Sequence, residues 1–358
     1  MKLRYRSPHR KEYRHNRPKQ IAACIVLIVA LFMISVYSLR INSFELTFAQ
    51  AWEAVYNRIM GIPPSTYMEG MIDYVAIDVN APRAFAAVFI GTILSIAGAV
   101  MQTVTRNPLA EPYTIGISSA ALFGVTISII YGICIVPGLS GTAAKGINAF
   151  VFAMIPAMAI VLISSAKKLS SNMMILVGIG MMYMFSSVTT FMKFNASEED
   201  LEEIYIWGLG TLSQTTWDEL LPMCIAAALL FFGFLALSGR INALMAGDSV
   251  CHSLGVNPIR TRIVCFVIVS VGVAVSVCFA GTLGFVGLVA PHIARLFVGN
   301  NNRSLIPVSA IVGALLILVS DVVVRSLPGG LPAGVITALI GSPMFLYFLF
   351  MQRKRSSF

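Results

Sequence analysis

Residues 84 to 104 read AFAAVFIGTILSIAGAVMQTV, a run of 21 residues without a charged side chain. A helix of about 20 apolar residues is long enough to cross the hydrocarbon core of a bilayer. Such a helix satisfies its own backbone hydrogen bonds, which lipid cannot do. The run therefore predicts a membrane-spanning helix.

The composition of the whole chain extends this prediction. Of its 358 residues, 57% are hydrophobic and 11% are charged, whereas about 25% are charged in an ordinary soluble domain. The mean hydropathy is +0.83. A water-soluble enzyme of this size needs far more ionisable surface, so that class is excluded.

Ten segments are long and apolar enough to span, which predicts an all-α polytopic membrane protein with ten transmembrane helices. The eighth segment is short and contains proline, so we expect a broken or closely packed helix there. An even number of spans places both termini on one side of the membrane. The segments are 21–39, 84–104, 113–136, 146–166, 173–192, 220–238, 263–281, 283–298, 305–324 and 332–351.

The distribution of charge orients these spans. Residues 1–20 hold eight basic residues and one acid, and residues 353–358 add three basic residues. With both tails in the cytoplasm, 19 of the 25 basic residues lie on that side, as the positive-inside rule requires. We predict a basic cytoplasmic tail (1–20), a single transmembrane domain (21–352) and a second basic tail (353–358). Neither tail has the aromatic and basic pattern of a nucleic-acid binder.

Two outer segments contain more than simple turns. Residues 49 to 60 predict a short amphipathic helix on the membrane surface. Residues 198 to 203 are mostly acidic, and a solvated face explains them as well as a specific role does.

Motifs for chemistry are scarce. The chain has no phosphate-binding G-x-x-x-x-G-K-[ST] motif, and its four histidines and six cysteines lack the spacing of metal sites or a disulfide framework. We therefore predict no enzyme activity, no metal site and no cofactor in this chain. Asp321 and Arg325 are four residues apart and can pair. An ion-coupled carrier and, more remotely, an intramembrane enzyme stay open as alternatives.

The longest inner connection, residues 239–262, predicts a structured surface. Ile241 to Ala246 can form a short helix ended by Gly247, and Asp248 can cap a second one that runs to Leu254 and stops at Gly255. Two short helices would form a rigid ledge, residues 241–255. Such a ledge is either a compact connector or a surface that receives force from a separate ATPase.

Four long motifs, in order along the chain, resemble the FecCD-type permeases of ABC importers for iron-siderophores, haem and cobalamin. The resemblance covers nearly the whole chain after residue 20. The motifs are PRAFAAVFIGTILSIAGAVMQTVTRNPLAEPYTIGISSAALFG (82–124), MAGDSVCHSLGV (from Met245), GTLGFVGLVAPHIARLFVGNNNR (from Gly281) and LPAGVITALIGSPMFLYFL (from Leu331).

This resemblance implies the architecture of a type II ABC importer permease in a bacterial or archaeal plasma membrane. It implies two permease subunits over two ATPase subunits that use the ATP, fed by an extracytoplasmic binding protein. Substrate transport would run by alternating access. Which chelate is carried, and whether identical or sister permeases pair, stays open.

The resemblance also assigns roles to individual residues. It places ATPase coupling in the ledge at Gly247, Asp248, Ser249, Leu254 and Gly255. It places docking of the binding protein at Arg83 and Arg325, although simple pairing with Asp321 or exposure at the interface explains them too. Two departures, Asn80 and Gly330, stand where relatives often carry charged residues, which weakens the docking assignment.

Further residues belong to the matching motifs. Arg106, Asn107 and Pro108 would either shape a tight inner turn, with Arg106 pairing locally with Glu111, or contact the substrate. Span 5 is rich in methionine, a soft and adaptable lining, and the resemblance places it beside the translocation path, although helix packing explains most of these residues too. The candidate path residues are Met174, Gly178, Met181 and Met182, and the remaining signature residues are Pro291, His292 and Arg295.

Overall fold

The structure is a computed structural model that describes residues 8–41, 46–167, 171–327 and 329–355. In these ranges a π-helix, Tyr74–Asn80, joins α3 to α4, and a 3-10 helix, Pro112–Ile115, precedes α5. The α-helices are α1 (Pro8–Ser38), α2 (Phe48–Met60), α3 (Tyr67–Asp73), α4 (Ala81–Thr105), α5 (Ile117–Tyr131), α6 (Gly141–Lys167), α7 (Ser171–Lys193), α8 (Glu198–Leu209), α9 (Trp217–Met245), α10 (Asp248–Ser253), α11 (Pro258–Ala280), α12 (Val286–Val298), α13 (Asn302–Ser326) and α14 (Ala333–Arg355).

The predicted membrane fold is confirmed. Among the described residues, seven helices are long and apolar enough to cross a bilayer, and three shorter apolar helices coincide with the third, eighth and tenth predicted spans. The total of ten crossings stays a prediction, as do the domain boundaries. Of the two predicted basic tails, residues 1–7 and 356–358 lie outside the described residues, and residues 8–20 begin α1.

Helix α4 is the centre of the bundle. Of its 25 residues, 19 are buried, and it packs against α9, α11, α12 and α13. Glycines allow two of these contacts: a Cβ on Gly91 would lie 2.3 Å from the Gly313 carbonyl oxygen, and one on Gly98 would lie 1.7 Å from that of Gly287. Small residues at such crossings let membrane helices approach backbone to backbone.

The outer segment 40–83 differs from its predicted form. The predicted surface helix is present as α2, but α3 and the π-helix continue directly into α4. The resulting helix of 39 residues is about 58 Å long, nearly twice the hydrocarbon thickness. The helix therefore has more residues than a single crossing needs. The predicted span began after Arg83, where the apolar run starts. In the structure α4 begins earlier, because Pro82 stands in its first turn, where proline is tolerated.

Two local predictions on the inner half have different outcomes. The eighth span is indeed short: α12 begins only at Val286, after a non-helical stretch over 281–285. The first short helix of the ledge was wrong, because residues 241–245 are the end of the long helix α9. The second is α10 (Asp248–Ser253), but Asp248 is its first residue rather than its cap, because Gly247 occupies the N-cap position.

The acidic outer run belongs to a helix. Ser197 caps the N-terminus of α8, and Glu198, Glu199 and Asp200 form its first turn. Carboxylates stabilise this end of a helix through the macrodipole. Glu203, one turn further on, forms an ion pair with Lys145. Helix capping and one ion pair thus account for much of the run.

Candidate functional site

The second half of the ledge is the short helix α10, which lies between two glycines in unusual conformations. Gly247 has φ +113° and Gly255 has φ +72°, and a side chain is strained at either value. Gly255 thus has the left-handed conformation that often ends a helix. Cys251 is fully buried and anchors α10 to the bundle, whereas the Leu254 side chain is exposed. The ledge is thus rigid at its base and presents an apolar tip.

Asp248 does not point freely outward, because two arginines of the same chain hold its carboxylate. Arg262 Nη1 and Nη2 donate to it at 2.8 and 2.6 Å, and Arg106 Nη2 donates to Oδ1. We call these three residues the inner triad. Hydrogen bonds from Arg262 are the largest cause of a pKa of Asp248 below its usual range, followed by the charges of both guanidinium groups.

The inner triad ties the ledge to two long helices. Arg106 directly follows α4, and its Nε also donates to the Leu244 carbonyl oxygen at 2.7 Å. Arg262 lies in the first turns of α11 and is 5% exposed. Sequence reasoning missed Arg262 as a site residue, since it is separated from Asp248 by 14 positions and stands in no quoted motif.

The predicted local pair of Arg106 and Glu111 was wrong. Glu111 instead accepts the backbone N–H of Phe285 at 2.9 Å, so it holds the start of α12. The tight turn itself is present: Arg106 has φ +52°, and the Asn107 side chain accepts the N–H of Leu109 at 3.0 Å. The following residue, Pro108, is exposed. Sequence reasoning considered Asp321 as the only acid inside the bundle and so missed Glu111 as a second one.

A second cluster lies at the opposite, outer end of α4. Arg83 donates to Asp321 Oδ1 at 2.7 Å, and Arg325 Nη2 lies 2.8 Å from Oδ2 as an ion pair without hydrogen-bond alignment. The predicted pairing of Asp321 with Arg325 is confirmed. We call Arg83, Asp321 and Arg325 the outer triad. Its side chains are 11%, 0% and 6% exposed, so it is buried in the protein.

Arg325 makes further bonds that join three parts of the chain. Its Nη1 donates to the Ser38 carbonyl at 2.7 Å and to Asn80 Oδ1 at 3.0 Å. Asn80, one of the two departures, in turn donates to the Leu39 carbonyl at 2.8 Å. The end of α1, the π-helix and α13 are thereby fixed together.

The candidate path residues lie on α7 beside the 3-10 helix. A Cβ on Gly178 would lie 2.6 Å from Ile115 Cα, so this glycine permits close packing. Met174 is 1% exposed within the core, whereas Met181 and Met182 are half-buried. A role of these residues in the path stays a prediction.

The remaining signature residues lie on α12. Pro291 and His292 are buried, and His292 Nδ1 lies 2.7 Å from the Leu288 carbonyl oxygen. Arg295 donates to Gln102 Oε1. The Arg295 contact binds α12 to the inner end of α4, whereas the His292 contact lies within α12.

Comparisons with known proteins agree with this architecture. The chain is 32% identical over 332 residues to a probable iron chelatin transport system permease protein of Helicobacter pylori, covering 92% of this chain and 97% of that protein. It is 34% identical over 283 residues to the Fe(3+) dicitrate transport system permease protein FecC of Escherichia coli, covering 76% and 82%.

A solved structure extends the likeness to the fold. An inward-facing metal-chelate type ABC transporter superimposes with a TM-score of 0.79 at 28% identity, covering 92% of this chain and 99% of the other. The FecCD transport family matches residues 27–351. The chain is therefore a member of the FecCD transport family.

Proposed function

We propose that this chain is the permease subunit of an ATP-driven importer that moves a metal chelate across a bacterial or archaeal plasma membrane. An iron-siderophore is the first candidate, and haem and cobalamin are the others. The observation that carries the proposal is the match to the FecCD transport family along residues 27–351. Relatives by sequence include permeases named for iron chelatin, hemin and cobalamin.

In this proposal the chain performs no covalent chemistry and holds no cofactor of its own. Two separate ATPase subunits hydrolyse the ATP, and a second permease subunit, identical or sister, completes the pathway. The ledge residues Gly247, Asp248, Ser249, Leu254 and Gly255 form the surface that meets the ATPase. Exposed Leu254 supplies an apolar contact, and the inner triad passes movement of the ledge to α4 and α11.

An extracytoplasmic binding protein delivers the chelate at the outer face in this scheme. Arg83 and Arg325 are its proposed docking contacts. Both line an outer cavity of about 470 Å³, through which an acidic side chain of the binding protein would reach them. The substrate then passes beside α7, with Met181 and Met182 as the proposed lining.

Reconstitution tests the proposal against an ion-coupled carrier. Proteoliposomes containing this chain alone should neither hydrolyse ATP nor take up ferric siderophore, haem or cobalamin under a proton or sodium gradient. Uptake of one of these should appear when the neighbouring ATPase and binding protein are added with ATP. Uptake by the chain alone, driven by a gradient, would contradict the proposal and favour a carrier.

A further inference from the structure

A cavity of about 300 Å³ lies on the inner side of the bundle, between the end of α4, helix α12 and the end of α9. It is lined by Arg106, His292 and Arg295 together with the amides of Gln102 and Asn300. None of the described residues that line it is acidic. The lining therefore offers positive charge and hydrogen-bond donors without a carboxylate.

The charges around this cavity are not balanced. In the part of the chain that the structure describes, Asp248 is the only carboxylate paired with Arg106 or Arg262, and no carboxylate pairs with Arg295. Arg106 and Arg262 thus share one acid, and Arg295 has none. The neutral Gln102 side chain accepts a hydrogen bond from Arg295, but it supplies no charge. A half-buried guanidinium without a counter-charge is costly, and a bound anion removes that cost.

We propose that this cavity binds a phosphate-type oxyanion. Guanidinium groups match the geometry of phosphate oxygens and bind them through paired N–H donors. The volume lies at the lower end of the range for small-molecule sites, which suits a compact headgroup. The anion is either the phosphate of an inner-leaflet lipid or free phosphate from the cytoplasm. Leu296 and Phe297, exposed beside Arg295, could hold the acyl chain of a lipid.

The site also touches the ledge. Arg106 lines the cavity and at the same time donates to Asp248. A bound oxyanion would therefore share Arg106 with the ledge and change how firmly Asp248 is held. This consequence rests on the proposed function only for its effect on transport, whereas binding itself is measured without ATPase or substrate.

Three variants with the same change of charge test the site in the full-length chain. Arg295→Gln removes a proposed ligand, and Asn300→Glu places a carboxylate in the cavity from an exposed loop that the fold tolerates. Arg303→Gln is the matched control, because Arg303 is exposed on the same side and does not line the cavity. Thermal unfolding is measured in phosphatidylcholine nanodiscs at constant ionic strength with increasing inorganic phosphate, and again in nanodiscs containing phosphatidylglycerol.

The two lipid conditions separate the sources. Saturable stabilisation by phosphate in phosphatidylcholine identifies a soluble anion, and stabilisation by phosphatidylglycerol, retained in native mass spectra, identifies a lipid. In either case Arg295→Gln and Asn300→Glu should lower the apparent affinity measured by stabilisation about tenfold or more, the loss expected for a charge-assisted contact. Arg303→Gln should keep the affinity of wild type. No response in wild type, or equal responses in all three variants, would overturn the proposal. Because no transport is measured, this result is independent of the importer assay.

Discussion

The two ends of α4 carry the same arrangement in opposite surroundings. Each triad places one aspartate between two arginines, and Arg83 and Arg106 lie about 34 Å apart along the helix. In the outer triad the aspartate is 0% exposed, whereas in the inner triad it is 48% exposed. One chemical pattern therefore has a fully buried acid at one end and a half-exposed acid at the other.

This difference predicts different roles. Removing one partner of a buried ion pair leaves an uncompensated charge and costs several kcal/mol, about 3–5. An exposed pair is worth about 1 kcal/mol or less and is screened by salt. The outer triad should therefore hold the fold, while the inner triad can loosen and re-form without unfolding the bundle. A contact that must move during transport belongs in the second environment.

The largest expected effect is that of Asp321→Asn. This change leaves two buried arginines against a neutral amide, so we expect a loss of about 3 kcal/mol or more of stability. Asp248→Asn is the matched change at the inner triad and should cost less, because Asp248 and Arg106 are 48% and 40% exposed, although buried Arg262 also loses its partner. Thermal unfolding in one detergent, together with the yield of folded protein, compares the two. Equal losses of stability would show that the difference in burial does not make the two triads differ in their contribution to the fold.

The next effect concerns transport rather than folding. Leu254→Asp should abolish ATP-driven uptake in the reconstituted complex, because a carboxylate buried unpaired against the ATPase costs several kcal/mol. Thermal stability of the isolated subunit should stay unchanged, since Leu254 is 64% exposed. Leu139→Asp, at an exposed leucine on the predicted outer side, is the control and should transport normally. Normal uptake by Leu254→Asp would leave the ledge as a connector.

A smaller effect is expected for docking at the outer triad. Arg83→Gln keeps hydrogen-bonding capacity but removes one positive charge from the outer cavity. If the binding protein docks here, its association should slow several-fold at low salt and less at high salt. Stopped-flow association with nanodisc-embedded complex measures this. Lys193→Gln, at another outer basic residue that does not line the cavity, is the control. Association equal to wild type at every salt concentration would restrict Arg83 to its role in the fold.

Much of the fold could be predicted from the sequence, because lipid imposes length and apolarity on every span. Residues 84–104 and the other long runs needed no tertiary information. The boundary at residue 67 could not be predicted, since polar residues that end an apolar run need not end a helix. The short ledge helix over 241–246 was wrong for the same reason: a helix can continue past the membrane surface once its apolar run has ended.

The site was only partly predictable because its partners are distant along the chain. The glycines and Asp248 of the ledge stand in one motif, but Arg262 follows 14 positions later and Arg106 precedes by 142. Glu111 is five positions from Arg106 in sequence, which suggested a local pair. The fold instead brings the backbone N–H of Phe285 to the Glu111 carboxylate. Spacing within a helix predicted Asp321 with Arg325, and only the packing of α4 against α13 added Arg83.

The last prediction is that the effect of Asp248→Asn on coupling does not change with pH. The pKa of Asp248 lies below the ordinary value of 3.8, so its carboxylate is charged throughout the physiological range. A carboxyl with a depressed pKa contributes its interaction above the unfolded value and loses it only as pH falls through the folded value. The inner triad should therefore stay intact from pH 5 to pH 8. Asp248→Asn should lower the coupling of ATP hydrolysis to uptake several-fold, by the same factor at pH 5.5, 6.5 and 7.5. A ratio of wild type to Asp248→Asn that approached one at pH 5.5 would mean that Asp248 is protonated there, and the inner triad would then be a pH-sensitive contact rather than one that keeps its charges at every physiological pH.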